Sequence, residues 1–456
     1  MFAKSYDHFI YNAQLHPKDY QREGVEWCIN IEKEKKGVVQ GGIIADQMGL
    51  GKTATMICTM MVHPVPRTLI VVPPILLEQW KKALKRLANV RARVYHGPTR
   101  TQITTQQLIG DYVSKGITVV LTTYGVLTSE HSKEKSLLHN VKWDRAIFDE
   151  AHHMRNRPTG VHRAARNLKI KIRWLLSGTP FQNKENDMYN LYEIVGVERK
   201  KTRQSNFREM LLKKHFLRRK QSDVADQLSG LGAIISKHVN IAWSNVEREM
   251  ARTVHQLVQN PTNPGAPGAK LVAMLRARQM CVLPELLINN NTGTVTRSQR
   301  ELITAASKLR TVAQYIVDNI DNGQGKIVFC SFRGEINALT TMLQEKGVGG
   351  DNVHVYSSSD KKRDIKKKVL IIQIQSGYEG LNFQEHYSEI YFVSNHWNPF
   401  VEKQAIGRCH RLGQTQPVTV YKFEMNTIDS NTATIEHYMR FIHIIKIRKV
   451  KKMMHH

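Results

Sequence analysis

The chain has 456 residues, of which 41% are hydrophobic and 7% aromatic, a composition that fits a globular protein of two domains and excludes a disordered chain. Its 67 Lys and Arg exceed its 39 Asp and Glu, so the formal net charge is +28. No apolar run approaches the ~18 residues needed to span a membrane, and the N-terminal residues lack the apolar core of a secretory signal. We therefore expect an intracellular protein that has no membrane partner.

The charge indicates what kind of partner to look for. A strongly positive surface concentrates polyanions and gives salt-dependent affinity for phosphate backbones, so we expect nucleic acid. A solubilising surface or an acidic protein partner is the alternative, because charge alone specifies neither partner nor site.

The five cysteines are scattered, without the paired spacing of a disulfide framework or a zinc-binding module. Cys409 and His410 are adjacent, but two ligands do not make a zinc site. We interpret them as a surface pair on a helix.

Between residues 40 and 180, short apolar runs alternate with helical stretches. The predicted strands are GGIIAD, TLIVVPP, ITVVLTTY, RAIFDE and IRWLLSG, and ILLEQWKKALKRL is predicted to be an amphipathic helix. Strands and helices in alternation predict a parallel sheet covered on both faces, which is an α/β fold.

The same alternation returns after residue 325. The predicted strands are KIVFCSF, NVHVYSS, VLIIQIQ, SEIYFVS and VTVYKFE, and the predicted helices are GEINALTTMLQEKG and FVEKQAIGRCHRL. The region from about 185 to 310 is predicted to be mostly helical and very basic, interrupted by the loop NPTNPGAPGAK. The last residues, IEHYMRFIHIIKIRKVKKMM, predict a basic C-terminal helix.

The segment ADQMGLGKT, residues 45 to 53, follows a predicted strand and precedes a predicted helix. Glycines let backbone N–H groups turn toward phosphate oxygens, the Lys52 ammonium suits the β- and γ-phosphates, and the Thr53 hydroxyl suits Mg²⁺. The helix N-terminus adds its dipole. An ordinary glycine turn is the alternative. The predicted nucleotide contacts are Gly49, Leu50, Gly51, Lys52, Thr53 and Ala54.

Two acidic residues, Asp149 and Glu150, end the predicted strand RAIFDE. The carboxyl ends of parallel strands are where ligands bind in open sheets. We assign Asp149 to the metal, together with Thr53, and Glu150 to the attacking water. A solvated acidic pair is the alternative, and it is disfavoured by the phosphate-loop motif about a hundred residues upstream.

Two further groups of polar residues follow buried strands or helices. In LLSGTPFQN, Ser177 and Thr179 follow a predicted strand and are candidates for sensing the phosphate, although a polar turn is the alternative. In QAIGRCHRLGQ, Arg408 and Arg411 are predicted on one face of a helix. Planar guanidinium groups suit the charge on a transferring γ-phosphate, and if they act there, one ATP is shared by both α/β units. A solvated basic face is the alternative.

With these motifs in order, the chain resembles the SWI/SNF-type branch of the superfamily 2 helicase-like ATPases from about residue 13 to 425. The resemblance rests on LHPKDYQREGVEW, VVPPILLEQW, VVLTTYGVL, FLRRKQSDV, LRARQMCVLP, SGYEGLNFQ and NHWNPFVEKQAIGRCHRLGQ. It implies two RecA-like lobes, each a parallel sheet flanked by helices, with helical protrusions between them. The implied domains are an ATP-binding lobe over 1–190, protrusions and linker over 191–305, a second lobe over 306–430 and a basic helix over 431–456.

The resemblance also implies roles for single residues. Gln21 would contact adenine, and Gln404, Arg408 and Arg411 would face ATP. Gly380 would contact the nucleotide and belongs to the implied coupling motif, with Gly377 and Leu381 beside it. The residues that the resemblance assigns to DNA binding or coupling are Thr122, Thr123, Ser177, Thr179, Ser331, Asn382 and Trp397.

Three positions depart from the family pattern. Gln47 stands where Glu is usual, Tyr378 where a second Gly is usual, and His153 where Arg or Lys is frequent. Neither Gln47 nor Tyr378 removes a group that touches the phosphate in the family scheme, so we expect an effect on coupling more than on activity.

The expected function is that of an ATP- and Mg²⁺-dependent motor moving on double-stranded DNA, with nucleosomes as a further candidate substrate and protein partners unknown. A strand-separating DNA or RNA helicase is one alternative, and a catalytically silent DNA clamp is the other. The expected location is the nucleus or another DNA-containing compartment. At this length we expect a bare motor, of the kind that a large DNA virus would encode.

Overall fold

The computed structural model describes residues 2–34, 37, 39–108, 116–134, 136–179, 185–228, 230–259, 268–287, 305–357, 366–377, 382–411, 413–430 and 432–454. The chain divides into two compact units, Met1–Ser229 with Val450–His456, and Gly230–Lys449. Within the described ranges, no helix is long and apolar enough to cross a membrane. The four-segment division that the resemblance implies is finer than these two units and stays a prediction.

The first unit is built on one parallel sheet, with strand order β3-β4-β2-β5-β6-β1-β7 among its described residues. Its strands are β1 Gln40–Ile44, β2 Arg67–Val72, β3 Arg93–Tyr95, β4 Thr118–Thr123, β5 Trp143–Asp149, β6 Ile170–Leu176 and β7 Phe216–Leu217. The five predicted strands are confirmed as β1, β2, β4, β5 and β6. Most of their residues are buried on both faces, as in parallel strands.

Successive side chains of a strand point to opposite faces of the sheet, so these strands present apolar side chains on both faces. Helices cover both faces and bury those side chains. Ile43 belongs to one core and Ile44 to the other, and Phe148 and Ile147 divide in the same way. The helices of the unit are α1 Phe2–Asn12, α2 Asp19–Lys33, α3 Lys52–Val62, α4 Leu77–Ala88, α5 Tyr124–His131, α6 Leu137–Asn140, α7 Gly160–Arg166, α8 Glu185–Val195, α9 Arg199–Thr202 and α10 Ser205–His215.

The amphipathic helix predicted for ILLEQWKKALKRL is confirmed as α4. Its apolar residues Trp80, Leu84 and Leu87 recur every three or four positions and are buried, which is the helical period. The helix ends at Asn89, which adopts the left-handed conformation with φ 52° that commonly closes a helix.

The second unit is built on another parallel sheet, with strand order β10-β11-β9-β12-β13-β8 among its described residues. Its strands are β8 Ile234–Ile241, β9 Gly325–Cys330, β10 Val353–Val355, β11 Val369–Gln373, β12 Tyr387–Phe392 and β13 Val418–Met425. The five predicted strands are confirmed as β9 to β13. Two helix-covered parallel sheets confirm the predicted α/β class with two RecA-like lobes.

The helices of the second unit are α11 Asn245–Gln259, α12 Ala269–Val282, α13 Ser307–Asp318, α14 Arg333–Glu345, α15 Ile374–Gly377, α16 Pro399–Ile406 and α17 Ile435–Met454, which belongs to this unit as far as Lys449. The helix predicted for GEINALTTMLQEKG is confirmed as α14, and the basic C-terminal helix as α17. The region 185 to 310, predicted to be mostly helical, also supplies an edge strand to each sheet, β7 and β8. Most side chains of β8 are exposed, so IISKHVNI lacks the buried apolar run by which the other strands are recognised.

Candidate nucleotide site and coupling segments

The loop between β1 and α3 has the predicted order of strand, loop and helix. Gly49 and Gly51 have φ of 88° and 82°, a backbone conformation that glycine adopts without strain. The helix α3 starts at Lys52, so its first N–H groups and its dipole are at the end of the loop. Thr53 and Ala54 form the first turn of this helix and are half-buried.

Lys52 is held against the inside of the loop. Its Nζ donates a hydrogen bond to the Asp46 carbonyl oxygen at 2.8 Å. A Cβ added to Gly178 would lie 3.6 Å from the same Nζ and 3.0 Å from the Met48 side chain, so the segment after β6 lies directly on the phosphate loop. The structure therefore places Ser177–Thr179 beside Lys52, as the motif assignment requires.

Asp46, which precedes the glycine loop, is fully buried and pairs with Arg219, which follows β7. The Asp46 Oδ1 accepts from the Arg219 backbone N–H at 2.9 Å and from its Nε at 3.1 Å, while Nη2 donates to Oδ2. Sequence reasoning missed this bidentate pair. Arg219 lies in FLRRKQSDV, which the resemblance marked as a landmark, but nothing local in the sequence connects it to Asp46.

Gln21 lies against the same loop. Its Nε2 donates to the Leu50 carbonyl oxygen at 3.3 Å, and the Tyr20 hydroxyl donates to that oxygen at 3.2 Å. A Cβ added to Gly51 would displace the end of the Gln21 side chain, and the φ of 82° is the reason that favours glycine here. Contact between Gln21 and adenine stays a prediction.

Asp149 and Glu150 lie where β5 ends, and both are buried, with 8% and 7% of their surface exposed. The alternative of a solvated acidic pair is therefore wrong. Asp149 Oδ2 accepts from Trp80 Nε1 at 2.7 Å, and Oδ1 accepts from the Glu150 N–H at 2.9 Å. Burial first, and then the charge of Glu150, raises the pKa of Asp149 to about 6, while the nearby Lys52 charge lowers it.

Glu150 adopts the left-handed conformation, with φ 51°, which turns the chain sharply after the strand. Its carboxylate lies 3.3 Å from His152 Nδ1. The Tyr124 hydroxyl donates to the Asp149 carbonyl oxygen at 2.6 Å and so supports this turn from α5. Sequence reasoning missed the support from Trp80 and Tyr124, although both lie in segments that carried the resemblance.

The SGT segment is bonded to the acidic turn through His152. The Ser177 hydroxyl lies 3.4 Å from His152 Nδ1, and it accepts from the Thr179 N–H at 3.3 Å. Register pairs Asp149 with Leu176, so the two segments leave neighbouring strands side by side. This arrangement connects the phosphate loop, Glu150 and Ser177 within one unit.

Thr122 and Thr123, predicted DNA contacts, are buried at the end of β4. The Thr122 hydroxyl donates to the Tyr95 carbonyl oxygen at 2.8 Å and so ties the edge strand β3 to the sheet. The Thr123 hydroxyl caps α5 by accepting from the Val126 N–H at 3.4 Å. Their role toward DNA stays a prediction.

In the second unit, the helix predicted to carry Arg408 and Arg411 ends at Ile406, so the placement of both arginines on a helix face is wrong. Gly407, a poor helix former, is followed by tight turns in which Arg408 N–H bonds Ala405 O at 3.1 Å. The Arg408 carbonyl accepts from Phe383 N–H at 3.0 Å instead of continuing a helix. Gln404, in the last turn of α16, is buried.

Arg411 is half-buried and its Nη1 donates to the Asn382 side-chain oxygen. Burial, and then the charge of Arg408, lowers the pKa of Arg411 to about 10, so the guanidinium remains charged at neutral pH. Arg411 and Asn382 are thereby brought together, a contact that was not predicted from the sequence, and their roles toward ATP and DNA stay predictions. Gly380, Leu381 and Tyr378 lie outside the described residues, and Gly377 is the last residue of α15.

Cys409 and His410 are not a surface pair on a helix. Both are buried in the turns after α16. Burial raises the pKa of the Cys409 thiol, and His410 Nε2 donates to the Gly232 carbonyl oxygen at 2.7 Å. Both side chains therefore pack in the interior beneath the turn and help to hold it in place.

Ser331 and Trp397, predicted to couple or to contact DNA, are connected through Arg278 of α12. Arg278 Nη2 donates to the Ser331 hydroxyl at 3.2 Å, and its guanidinium lies 5.9 Å from the centre of the Trp397 ring. A cation over an indole face is a favourable contact. Arg278 lies in LRARQMCVLP, and only the folded structure reveals this contact.

Comparisons with known proteins identify what the chain is similar to. The family model of the SNF2-related domain matches residues 20–278. The probable global transactivator of Orgyia pseudotsugata multicapsid polyhedrosis virus is 27% identical over 472 residues, which cover 95% of this chain and 91% of the relative. The ISWI chromatin-remodeling complex ATPase ISW1 of Saccharomyces cerevisiae is 24% identical over 90% of this chain, which spans 38% of that relative.

Among solved structures, the Sulfolobus solfataricus SWI2/SNF2 ATPase core in complex with dsDNA is similar at 22% identity, with a TM-score of 0.42, over 91% of this chain and 89% of that one. The SNF2-related model spans more than half of the sequence. The chain therefore belongs to the SNF2-related family.

Proposed function

We propose that this protein is a DNA-dependent ATPase that couples ATP hydrolysis to translocation on double-stranded DNA. The observation that carries the proposal is the arrangement in the first unit, where Glu150 and Ser177 both contact His152 and Gly178 lies beside Lys52 at the carboxyl edge of the sheet. That edge is where ligands bind in open α/β sheets. Membership of the SNF2-related family supports the same conclusion.

The phosphate loop would bind the triphosphate. Its backbone N–H groups and Lys52 would contact the phosphate oxygens, with the α3 dipole favouring negative charge. The buried Arg219–Asp46 pair and the Tyr20 and Gln21 contacts to Leu50 hold this loop in place from outside. A loop fixed in this way loses little conformational freedom when ATP binds.

The acidic turn fits a magnesium ion. Asp149 and Glu150 are adjacent buried carboxylates, and burial followed by the charge of Glu150 raises the pKa of Asp149, so a cation beside them would favour the ionised pair. Thr53 and Asp149 would hold the ion, which prefers oxygen ligands. When bound, it would neutralise charge on the phosphates.

Glu150 would accept the proton of the attacking water. A general base must be held within reach of the water, and the left-handed turn with the His152 contact fixes the position of this carboxylate. Ser177, bonded to His152 and adjacent to Lys52, would relay the state of the phosphate. Arg411 would stabilise charge on the transferred phosphoryl group.

Duplex DNA as the partner is supported by the net charge of +28 and by the family. The ISWI relative is a chromatin-remodeling complex ATPase, which makes nucleosomes a further candidate substrate. The protein would then act in the nucleus or another DNA-containing compartment.

The test compares ATP turnover with duplex DNA, single-stranded DNA and RNA, followed by displacement of a third strand from a DNA triplex. We expect the strongest stimulation with mixed-sequence duplex, because backbone contacts carry no sequence information. Triplex displacement without separation of the duplex would support translocation. Stronger stimulation by RNA, or separation of a forked duplex, would favour a helicase instead, and Glu150→Gln is the inactive control.

A further inference from the structure

The Trp397 segment, residues 394–398, is held by one face of the C-terminal helix α17. His443 Nε2 donates to the His396 carbonyl oxygen at 2.5 Å, and Lys446 Nζ donates to the Trp397 carbonyl oxygen at 3.1 Å. These side chains are three residues apart and so are neighbours on the helix. Two consecutive carbonyl groups of the segment are thus bound by one helix.

Arg440, one turn earlier, extends the same face. Its Nη1 donates to Glu424 Oε2 at 3.1 Å, and Glu424 Oε1 accepts from the Asn395 side-chain amide at 2.7 Å. Arg440, His443 and Lys446 therefore hold, in succession, residues 395, 396 and 397. The opposite face of the helix, with Tyr438 and Phe441, is exposed to solvent.

The chemistry of these contacts is suited to fixing a backbone. A carbonyl oxygen can only accept, so the proton of His443 is on Nε2. Burial lowers the pKa of His443 and favours the neutral ring, which still donates. The ammonium of Lys446 makes a charge-assisted bond, which is stronger than a neutral one.

The rest of the segment is held from the other side. His396 N–H donates to Glu402 Oε1 at 2.8 Å, and Arg278 lies over the Trp397 ring while donating to the Asn395 carbonyl oxygen at 3.3 Å. The backbone at Trp397 is thus fixed between Arg278 and α17. A shift of the helix would move the carbonyl groups while Arg278 retained the ring.

We propose that His443 and Lys446 are positioning residues for the Trp397 segment, and that α17 thereby sets how strongly DNA stimulates ATP turnover. The inference rests on the proposed function, and on the role in DNA binding or coupling that the family resemblance implies for Trp397. Neither residue touches DNA or nucleotide in this scheme. They act through the backbone that carries Trp397.

The experiment measures turnover with saturating duplex DNA divided by turnover without DNA. For His443→Ala and Lys446→Ala we expect this ratio to fall by roughly tenfold, as misplacement of a coupling group does. His443→Gln and Lys446→Arg keep a donor and should return the ratio to within about twofold of the parent. Lys449→Ala removes the same charge from an exposed position of the helix and should leave both rates unchanged.

A double-mutant cycle then tests the route. If α17 acts through Trp397, adding His443→Ala to Trp397→Ala should lower the ratio no further. An additive fall, or equal losses with and without DNA in the alanine variants, would overturn the inference. So would a ratio that the alanine variants leave at the parental value.

The cycle also distinguishes two kinds of failure. A parent chain without DNA stimulation would overturn the proposed function and this inference together. The inference alone would be overturned if DNA stimulates the parent, Trp397→Ala lowers the ratio, and the His443 and Lys446 variants leave the ratio at the parental value. The glutamine and arginine variants keep the test decisive if an alanine variant does not fold.

Discussion

In the proposed mechanism Lys52 and Glu150 would act on the nucleotide in different ways, so the effects of losing each should be distinguishable. Lys52→Ala would remove a charge proposed to contact ATP in both the ground and transition states, and we expect weaker binding and lower turnover. Glu150→Gln keeps the shape but loses the base, so ATP should bind while turnover falls by roughly 10²- to 10⁴-fold. Binding of a fluorescent ATP analogue and phosphate release measure the two effects.

The exposed carboxylate of Glu78 in α4 offers a matched control, because Glu78→Gln makes the same chemical change away from the site. Its turnover should equal that of the parent. A Glu150→Gln variant that hydrolyses ATP at a near-normal rate would show that another group activates the water.

Arg411 tests the role of the second unit. We expect Arg411→Ala to keep most ATP affinity and to lose roughly 10³- to 10⁵-fold in turnover, which is the contribution of an arginine at a transferring phosphoryl group. Arg411→Lys should not restore it, because a point charge lacks the planar fork and the bond to Asn382. Nucleotide affinity and DNA-stimulated turnover are measured on the same variant.

Arg252→Ala, at an exposed surface ion pair of α11, is the control for loss of one arginine and should behave like the parent. If Arg411→Ala retains DNA-stimulated turnover within a few-fold, Arg411 only orders the turn after α16. Arg408 would then be the remaining candidate for stabilising charge on the transferred phosphoryl group, to be tested in the same way.

At the scale of an element, the N-terminus of α14 makes the stability of the second unit depend on pH. Glu335 is fully buried and its Oε2 accepts from the Ser331 and Phe332 N–H groups at 2.8 and 2.9 Å. Burial nevertheless raises its pKa from 4.5 to about 7. Between these two values the folded state binds a proton that the unfolded state has lost, so stability falls as pH rises.

Glu335→Gln removes this titration. Relative to the parent, the variant should gain stability as pH rises from about 4.5 to 7, by up to ~3 kcal/mol since one pKa unit equals ~1.4 kcal/mol. Denaturant unfolding of both proteins across this range measures the difference. For the control Glu345→Gln, at the exposed other end of α14, the curve of stability against pH should be parallel to that of the parent. Parallel curves for Glu335→Gln would show that the carboxyl titrates normally.

At the scale of the whole molecule, the excess of 28 positive charges should govern DNA affinity. Each phosphate neutralised by Lys or Arg releases a counterion, so affinity falls with salt. If roughly 6 to 10 phosphates are contacted, affinity should drop about 10³- to 10⁵-fold between 50 and 200 mM salt. Titrations of labelled duplex at several salt concentrations give the slope.

Turnover without DNA provides the internal control for this prediction, because buried contacts around Lys52 and Asp149 are screened much less than surface charges. It should change little over the same range. A DNA affinity independent of salt would show that the positive charge is only a solubilising surface.

The sequence by itself determined the α/β class, the central strands and the phosphate loop. Each depends on residues that are contiguous or regularly spaced, such as the aliphatic run before ADQMGLGKT and the acidic pair after RAIFD. It missed the edge strands β7 and β8, because a short or largely exposed strand has no buried apolar run to mark it. It also extended α16 through Arg408 and Arg411. The helix ends at Ile406, and the Arg408 carbonyl oxygen accepts a hydrogen bond from the N–H of the distant Phe383, which local sequence does not reveal.

The tertiary structure decided which groups support the site. Asp46 and Arg219 are 173 positions apart, and Lys446 is 49 positions from the Trp397 carbonyl that it binds. Local periodicity carries no information about such pairs, because their proximity follows from the order in which strands join the sheet and helices pack on it. The candidate site residues can therefore be recognised from short motifs. The contacts that hold those residues in position form only after folding.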